Sequence, residues 1–96
     1  MYIEFDLPAD LGLTDAKTRL VAEWVAFIIY GDESLLSPPE KKENGAWNVY
    51  PASNDWFLHP PHSGLSNQKD TWKLDARYEG QERLMAIVEE LKRLYV

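Results

Sequence analysis

Three tryptophans, each at the start of a short extended-looking segment, constrain this sequence more than any other feature. The segments are Trp47-Asn-Val-Tyr50, Trp56-Phe-Leu-His59 and Trp72-Lys-Leu-Asp-Ala-Arg-Tyr78. In the last segment apolar and charged residues alternate, so Trp72, Leu74, Ala76 and Tyr78 share one face, as in a half-buried strand. We predict that the three segments are strands of a small antiparallel sheet.

The N-terminal residues show the same alternation. Ile3, Phe5 and Leu7 would lie with Met1 on one side of an extended chain, whereas residues 2, 4 and 6 lie on the other. A period of two over seven residues predicts a further strand. Pro8 ends this strand because proline has no N–H to donate, and residues 9–12 are predicted to be a connector.

Two amphipathic helices are predicted beside the strands. The first has Thr14 as a suitable N-cap and Gly31 as a suitable end. Its predicted buried stripe consists of Leu20, Trp24, Phe27 and Ile28, widened by Val21 and Val25. Because residues 25–30 are apolar all round, we expect that end to be deeply buried or covered by a second copy of the chain. The second helix is predicted from about residue 81 onwards, with an apolar stripe of Leu84, Ile87, Val88 and Leu91.

The element order β-α-β-β-β-α predicts an α+β fold in a single domain that spans residues 1–96. The simplest arrangement is a four-stranded, mainly antiparallel sheet with both helices packed on one face. Residues 32–45 are polar and carry proline and glycine, so they are predicted to form a flexible loop. The other face of the sheet would then be open to solvent or to a partner.

The absence of cysteine narrows the function classes. It excludes a disulfide scaffold, a thiol nucleophile and a cysteine-based zinc site, and it is compatible with a reducing cytoplasm. The N-terminus has no basic region followed by an apolar run, and the longest apolar run, Val25–Tyr30, is too short to span a bilayer. We therefore predict a soluble, cytoplasmic protein without a membrane partner.

The net charge of −6 lies mostly in the first third of the chain. Residues 1–33 contain seven acidic and two basic residues, a net charge of −5. An acidic domain repels phosphate backbones, so we predict no direct binding of nucleic acid. The αβββα portion has the element order of double-stranded-RNA-binding domains, but the helix that opens at Gln81 lacks a basic cluster. Charge complementarity instead favours a protein partner with a basic surface; the alternative is that the acidic charge serves only solubility.

Strand alternation also predicts what the open face of the sheet presents. If the tryptophans point toward the helices, their neighbours along each strand point away. The residues placed there are Tyr2, Tyr50, Phe57 and His59, flanked by Glu4, Asp6, Lys73, Asp75 and Arg77. Aromatic side chains ringed by charges are typical of an interaction surface, although solvated sheets also carry tyrosine for cross-strand pairing alone.

The two histidines, His59 and His62, flank a pair of prolines. With Asp55 or Asp70 they could hold a divalent metal, which gives the alternative hypothesis of a small enzyme or metal-dependent protein. A stiff surface loop with two titratable side chains is the commoner meaning of such a sequence. Because the chain has no glycine-rich phosphate loop and no serine–histidine motif, we predict no enzyme, no cofactor and no metal.

The leading hypothesis is a non-catalytic protein-binding domain that inhibits a partner by occluding its active site. Its predicted contact residues are Tyr2, Tyr50, Phe57, His59, Asp32, Glu33, Glu40 and Glu43. The aromatic members would anchor the interface, and the acidic members would steer a basic cleft toward it. The size and acidity are compatible with a small bacterial immunity or inhibitor protein. A homodimer through the apolar end of the first helix, around Phe27 and Ile29, is a further hypothesis.

Overall fold

A computed structural model describes residues 1–8 and 12–95 of the chain. Within these residues there are five strands: β1 (Tyr2–Phe5), β2 (Glu40–Lys41), β3 (Trp47–Asn48), β4 (Trp56–His59) and β5 (Trp72–Ala76). The same residues form the helices α1 (Asp15–Tyr30) and α2 (Gln81–Arg93) and a 3-10 helix (Gly31–Leu36) directly after α1. Residues 9–11 of the predicted connector lie outside the described residues.

The strands form one antiparallel sheet in the order β1-β5-β4-β3-β2. The predicted α+β class is therefore confirmed, but the predicted number of strands was wrong. The additional strand is β2, in which Glu40 pairs with Asn48 and Lys41 pairs with Trp47. The element order is β-α-β-β-β-β-α instead of β-α-β-β-β-α.

The additional strand belongs to a hairpin inside the segment that was predicted to be a flexible loop. The N–H of Gly45 donates to the carbonyl of Lys42 at 3.0 Å, and the N–H of Lys42 donates to the carbonyl of Ala46 at 2.7 Å. Gly45 has a φ of 87°, which glycine adopts at little steric cost. Together with the 3-10 helix, this hairpin gives the predicted loop two regular elements.

One row of side chains crosses the sheet at the centre of the core. Trp47 of β3 pairs with Leu58 of β4, which pairs with Leu74 of β5, which pairs with Ile3 of β1. Directly paired residues of antiparallel strands share a face, and the first three of these side chains are almost fully buried. The predicted inward direction of the tryptophans is confirmed, since Trp56 and Trp72 are also buried.

Both helices pack on this face of the sheet and join one core with its tryptophans. The buried stripe of α2 is the predicted one, Leu84, Ile87, Val88 and Leu91. On the α1 side, the indole N–H of Trp47 donates to Oγ1 of Thr18 at 2.9 Å. This bond satisfies the N–H of a buried tryptophan, and it also holds α1 against β3.

Local signals determine where the elements begin and end. The N–H of Lys17 donates to the Thr14 hydroxyl at 3.3 Å, and α1 stops before Gly31, whose φ is 62°. Both ends agree with the prediction. β5 ends at Ala76, so Tyr78, which was predicted to face inward with Trp72, is exposed.

The buried face of α1 differs from the predicted stripe. Its buried residues are Thr18, Val21, Ala22, Val25 and Ala26. Leu20 and Phe27, predicted to be core, are 46% and 48% exposed, and Trp24 is half-buried. Because the second half of α1 is apolar all round, the periodicity does not determine which face of the helix is buried. The face that packs on the sheet carries the small side chains of Ala22 and Ala26. Among the described residues, neither helix is long and apolar enough to cross a membrane.

Candidate functional site

Three of the four residues predicted for the open face of the sheet lie together there. Asp75 of β5 pairs with Tyr2 on one side and with Phe57 on the other, and Lys73 pairs with His59. Because directly paired residues share a face, all five side chains lie opposite the helices. We call this surface, made of Tyr2, Phe57, His59, Lys73 and Asp75, the open sheet face.

Tyr50, the fourth residue predicted for the open sheet face, lies elsewhere. Its ring stacks on that of Tyr30 at the end of α1, with 4.0 Å between the ring centroids, and the Tyr30 hydroxyl is 3.1 Å from Oγ of Ser53. The Tyr50 carbonyl accepts hydrogen bonds from the N–H groups of Ser53 and Asn54. The chain therefore turns directly after Val49, and strand alternation stops. The predicted place of Tyr50 was wrong for this reason.

Tyr2 and Phe57 of the open sheet face each have one of the protein's own lysines over the ring, although Tyr2 remains 54% exposed. The ammonium of Lys73 lies 5.0 Å from the ring centroid of Tyr2, and that of Lys42 lies 4.6 Å from the ring centroid of Phe57. Such contacts combine cation–π attraction with burial of the lysine stem. Lys73 also donates to the carbonyl of Ser66 at 2.8 Å, which ties the loop after β4 to this face.

His59 is the buried member of the open sheet face. Its residue surface is 8% exposed, and both ring nitrogens are without a hydrogen-bond partner among the described residues. Burial, reinforced by the charges of Lys73 and Lys42 and opposed by Asp75, lowers the pKa of His59 from 6.5 to about 4. The imidazole is therefore neutral at pH 7 and unable to offer a positive charge to a ligand.

His62 lies apart from His59, in an exposed turn where its φ is 60°. Its Nε2 is 2.5 Å from a carboxylate oxygen of Asp70. Within residues 1–8 and 12–95, no group of three or more histidine, aspartate or glutamate side chains is arranged to hold a metal ion. The predicted alternative site at the two histidines thus consists of one buried imidazole and one surface pair.

The four acidic residues predicted to face a partner belong to two parts of the fold. Asp32 and Glu33 are exposed on the 3-10 helix after α1. Glu40 lies on edge strand β2, and Glu43 lies in the hairpin turn that follows. The 3-10 helix thus places the first pair beside α1, and the hairpin places the second pair at the edge of the sheet.

A groove that the sequence did not predict lies between α1 and the segment that follows it. Its volume is about 280 Å³. The residues that line it are Leu20, Glu23, Trp24, Ala26, Phe27, Ser34, Leu35, Pro38 and Pro39, and we call it the α1 groove. Its lining is mostly apolar, and Leu20, Phe27 and Leu35 are 46%, 48% and 78% exposed. The only sequence signal was that residues 25–30 are apolar all round.

The α1 groove has an acidic rim. Glu23 belongs to its lining. Side chains three residues apart align on a 3-10 helix, so Asp32 lies on the same side as Leu35, and Glu33 is exposed next to it. From residue 20 to residue 39 the chain contains no lysine and no arginine. The apolar surface is thus bordered by negative charge from its own walls.

No protein-family model matches the chain, and no curated protein or solved structure matches it either.

Proposed function

We propose that this protein is a non-catalytic protein-binding domain and that the α1 groove is its docking surface. The observation that supports this proposal is the exposure of Leu20, Phe27 and Leu35 around one concave, mainly apolar surface. Contiguous apolar surface of this kind is costly to leave in water and marks interaction sites in soluble proteins. Binding a partner removes that cost.

The proposal places the interface anchors on the α1 groove instead of the open sheet face. The predicted anchors Phe57 and His59 are less available: Lys42 covers the ring of Phe57, and His59 is buried. Trp24 and Phe27 pack edge to face, with 6.3 Å between their ring centroids. This contact holds two large rings in a fixed arrangement, which reduces the entropy that a partner must offset on binding.

The acidic charge of the domain supports an inhibitory effect on the partner. A domain of net charge −6 that docks through an acid-rimmed surface is suited to a basic region of another protein. If that region surrounds an active site, the docked domain occludes it and acts as an inhibitor. Assaying the captured partner with and without this protein tests the inhibitory role separately from binding.

Affinity capture with matched variants tests the docking surface. Wild-type protein, Phe27→Asp, Tyr2→Asp and Tyr78→Asp are used to capture proteins from cells that express the chain natively. All three variants place a carboxylate at a position where the aromatic side chain is exposed. We expect a stoichiometric partner to be captured by every form except Phe27→Asp.

Two outcomes contradict the proposal. Capture of no stoichiometric partner by the wild type would oppose a protein-binding function. Loss of the partner with Tyr2→Asp, but not with Phe27→Asp, would move the docking surface to the open sheet face.

A further inference from the structure

We infer that the occupant of the α1 groove is a basic amphipathic α-helix of a partner protein. This inference rests on the proposed role of the groove as a protein-docking surface, and it adds the conformation and the charge of the docking segment.

The dimensions of the groove suit a short helical segment. Leu20, Trp24 and Phe27 are spaced i, i+4 and i+7 along one wall, which corresponds to about 10 Å of helix axis. Two turns of a second helix cover the same length and present apolar side chains with the same spacing. The second wall is formed by Leu35, Pro38 and Pro39, so the occupant can contact apolar side chains on both sides.

The chemistry of the walls favours a helix over a peptide that adds as a β-strand. A peptide of that kind binds through main-chain hydrogen bonds to an open strand edge. The α1 groove is instead walled by side chains of a helix, whose own backbone groups are bonded internally, and by Pro38 and Pro39, which have no N–H. Peptide groups placed against such walls must find partners within their own segment, and an α-helix provides them.

The rim determines the charge of the occupant. Glu23 lies in the groove lining, and Asp32 and Glu33 lie on the 3-10 helix that forms the second wall. With no lysine or arginine between residues 20 and 39, these carboxylates have no neutralising partner in the same segment. A helix with lysine or arginine beside its apolar stripe supplies complementary charge, whereas an acidic helix meets repulsion.

Two other occupants fit the rim less well. A two-fold dimer through the groove brings the acidic rims of both copies, with Glu23, Asp32 and Glu33 of each, into one interface, because a two-fold interface uses the same patch on both copies. An anionic membrane surface repels the same carboxylates. A second copy of the chain and a lipid surface therefore become outcomes of the test.

Trp24 provides a direct readout of an occupied groove. It is half-buried in the groove lining, whereas Trp47, Trp56 and Trp72 are buried in the core. Occupation of the groove removes water from the indole of Trp24 and shifts its emission to shorter wavelength. A Trp24→Phe variant should lose this signal, which assigns the emission shift to Trp24 and not to the three buried tryptophans.

The test uses designed peptides of about 18 residues, long enough for measurable helicity. One peptide combines leucine at helical spacing with lysine, the second carries glutamate in place of lysine, and the third has the leucine–lysine composition in scrambled order. We expect the amphipathic leucine–lysine peptide to bind at least about tenfold more tightly than the other two. Phe27→Asp should weaken this binding by about tenfold or more, whereas the Tyr78→Asp control should leave it unchanged.

Charge reversal at the rim sharpens the test. Asp32→Lys combined with Glu33→Lys alters two exposed side chains that lie outside the core. In this variant the preference should invert, so that the leucine–glutamate peptide binds more tightly than the leucine–lysine peptide. An inverted preference is specific to docking at this rim, since non-specific adhesion of a basic peptide to an acidic protein would persist.

Other results overturn the inference and remain distinct from failure of the proposed function. Equal binding of the lysine and glutamate peptides, or binding of neither, would exclude a basic helix as the occupant of the groove. Capture of a partner that depends on the groove would still support the proposed docking function. A shift of Trp24 emission with vesicles of anionic lipid, but not with the peptides, would assign the groove to a membrane surface. A dimer in light scattering that Phe27→Asp converts to monomer would assign it to a second copy of the chain.

Discussion

The open sheet face and the α1 groove both direct aromatic rings toward solvent, but the rings differ in what covers them. On the open sheet face, lysine ammonium groups lie 4.6 Å from the ring centroid of Phe57 and 5.0 Å from that of Tyr2. Among the described residues, no cation covers Trp24 or Phe27 in the α1 groove, whose rim is acidic. Tyr2 and Phe57 of the open sheet face each have a cation contact within the protein, whereas Trp24 and Phe27 have none among the described residues.

An aromatic side chain that leaves the core is a useful indicator of binding only when the contacts of its ring with the rest of the protein are known. Strand alternation identifies side chains that leave the core, but it does not reveal whether a lysine stem from elsewhere then lies on them. Substitutions and changes of pH should therefore affect the two surfaces differently.

The largest effect is expected for partner binding when charge is placed in the α1 groove. Phe27→Asp should weaken the complex by at least about 30-fold, the equivalent of about 2 kcal/mol, because central aromatic anchors dominate interface energy. Tyr2→Asp should change the affinity by less than about threefold. Titration calorimetry with the captured partner measures both values, and an equal loss for the two variants would remove the distinction.

Acid should destabilise the open sheet face through His59. Its pKa falls from 6.5 to about 4 in the folded protein, so the unfolded chain binds the proton more readily. The contribution of the neutral imidazole is thus fully present above pH 6.5 and is lost as the pH falls toward 4. We expect a loss of the order of 2 kcal/mol in the free energy of unfolding across this window.

Urea unfolding of the wild type and of His59→Leu at a series of pH values measures this contribution of His59 to the free energy of unfolding. The difference between the two proteins should change across the window, because the carboxylates that titrate in both largely cancel. A difference that is independent of pH would show that the imidazole is as easily protonated in the folded protein as in the unfolded chain.

At pH 7 the same substitution should leave stability unchanged or raise it, by up to about 1 kcal/mol. Both nitrogens of His59 are buried without a partner among the described residues, and a buried polar group in this state costs free energy that an apolar side chain does not. A destabilisation of more than about 2 kcal/mol would indicate that the imidazole makes a hydrogen bond, for example to a buried water.

The smallest effect is expected for the lysine cover of Phe57. Lys42→Ala should lower the free energy of unfolding by about 0.5 kcal/mol, the size of an exposed cation–π contact. Repeating the substitution in a Phe57→Leu background gives a double-mutant cycle that isolates the pair. A coupling energy near zero would show that the lysine does not protect the ring, and would make the open sheet face a stronger competitor for a partner.

Much of the fold could be predicted because its signals are local. Three of these signals depend on residues that are close together in sequence. They are the alternation from Trp72 to Ala76, the apolar stripe of α2 from Leu84 to Leu91, and the two ends of α1. Strand β2 escaped prediction because Glu40 and Lys41 carry no alternation of their own and are ordered by pairing with β3.

The candidate site was harder to predict because it depends on contacts between distant segments. The rotation of α1 was decided by packing on the sheet, and it placed Leu20 and Phe27 on the outside. The position of Tyr50 depended on a turn and on stacking against Tyr30. Of the predicted contact residues, Tyr2, Phe57 and His59 reached the expected face, but neither their cover by lysines nor the burial of His59 could be read from strand periodicity.

The measurement that most directly tests the docking surface is chemical-shift mapping of the isotope-labelled protein titrated with its captured partner. Backbone amide perturbations should concentrate at residues 20–27 and 32–37, with the indole N–H of Trp24 among the most affected signals. Perturbations concentrated in β1, β4 and β5, around Tyr2 and Phe57, would contradict this assignment and identify the open sheet face as the binding surface.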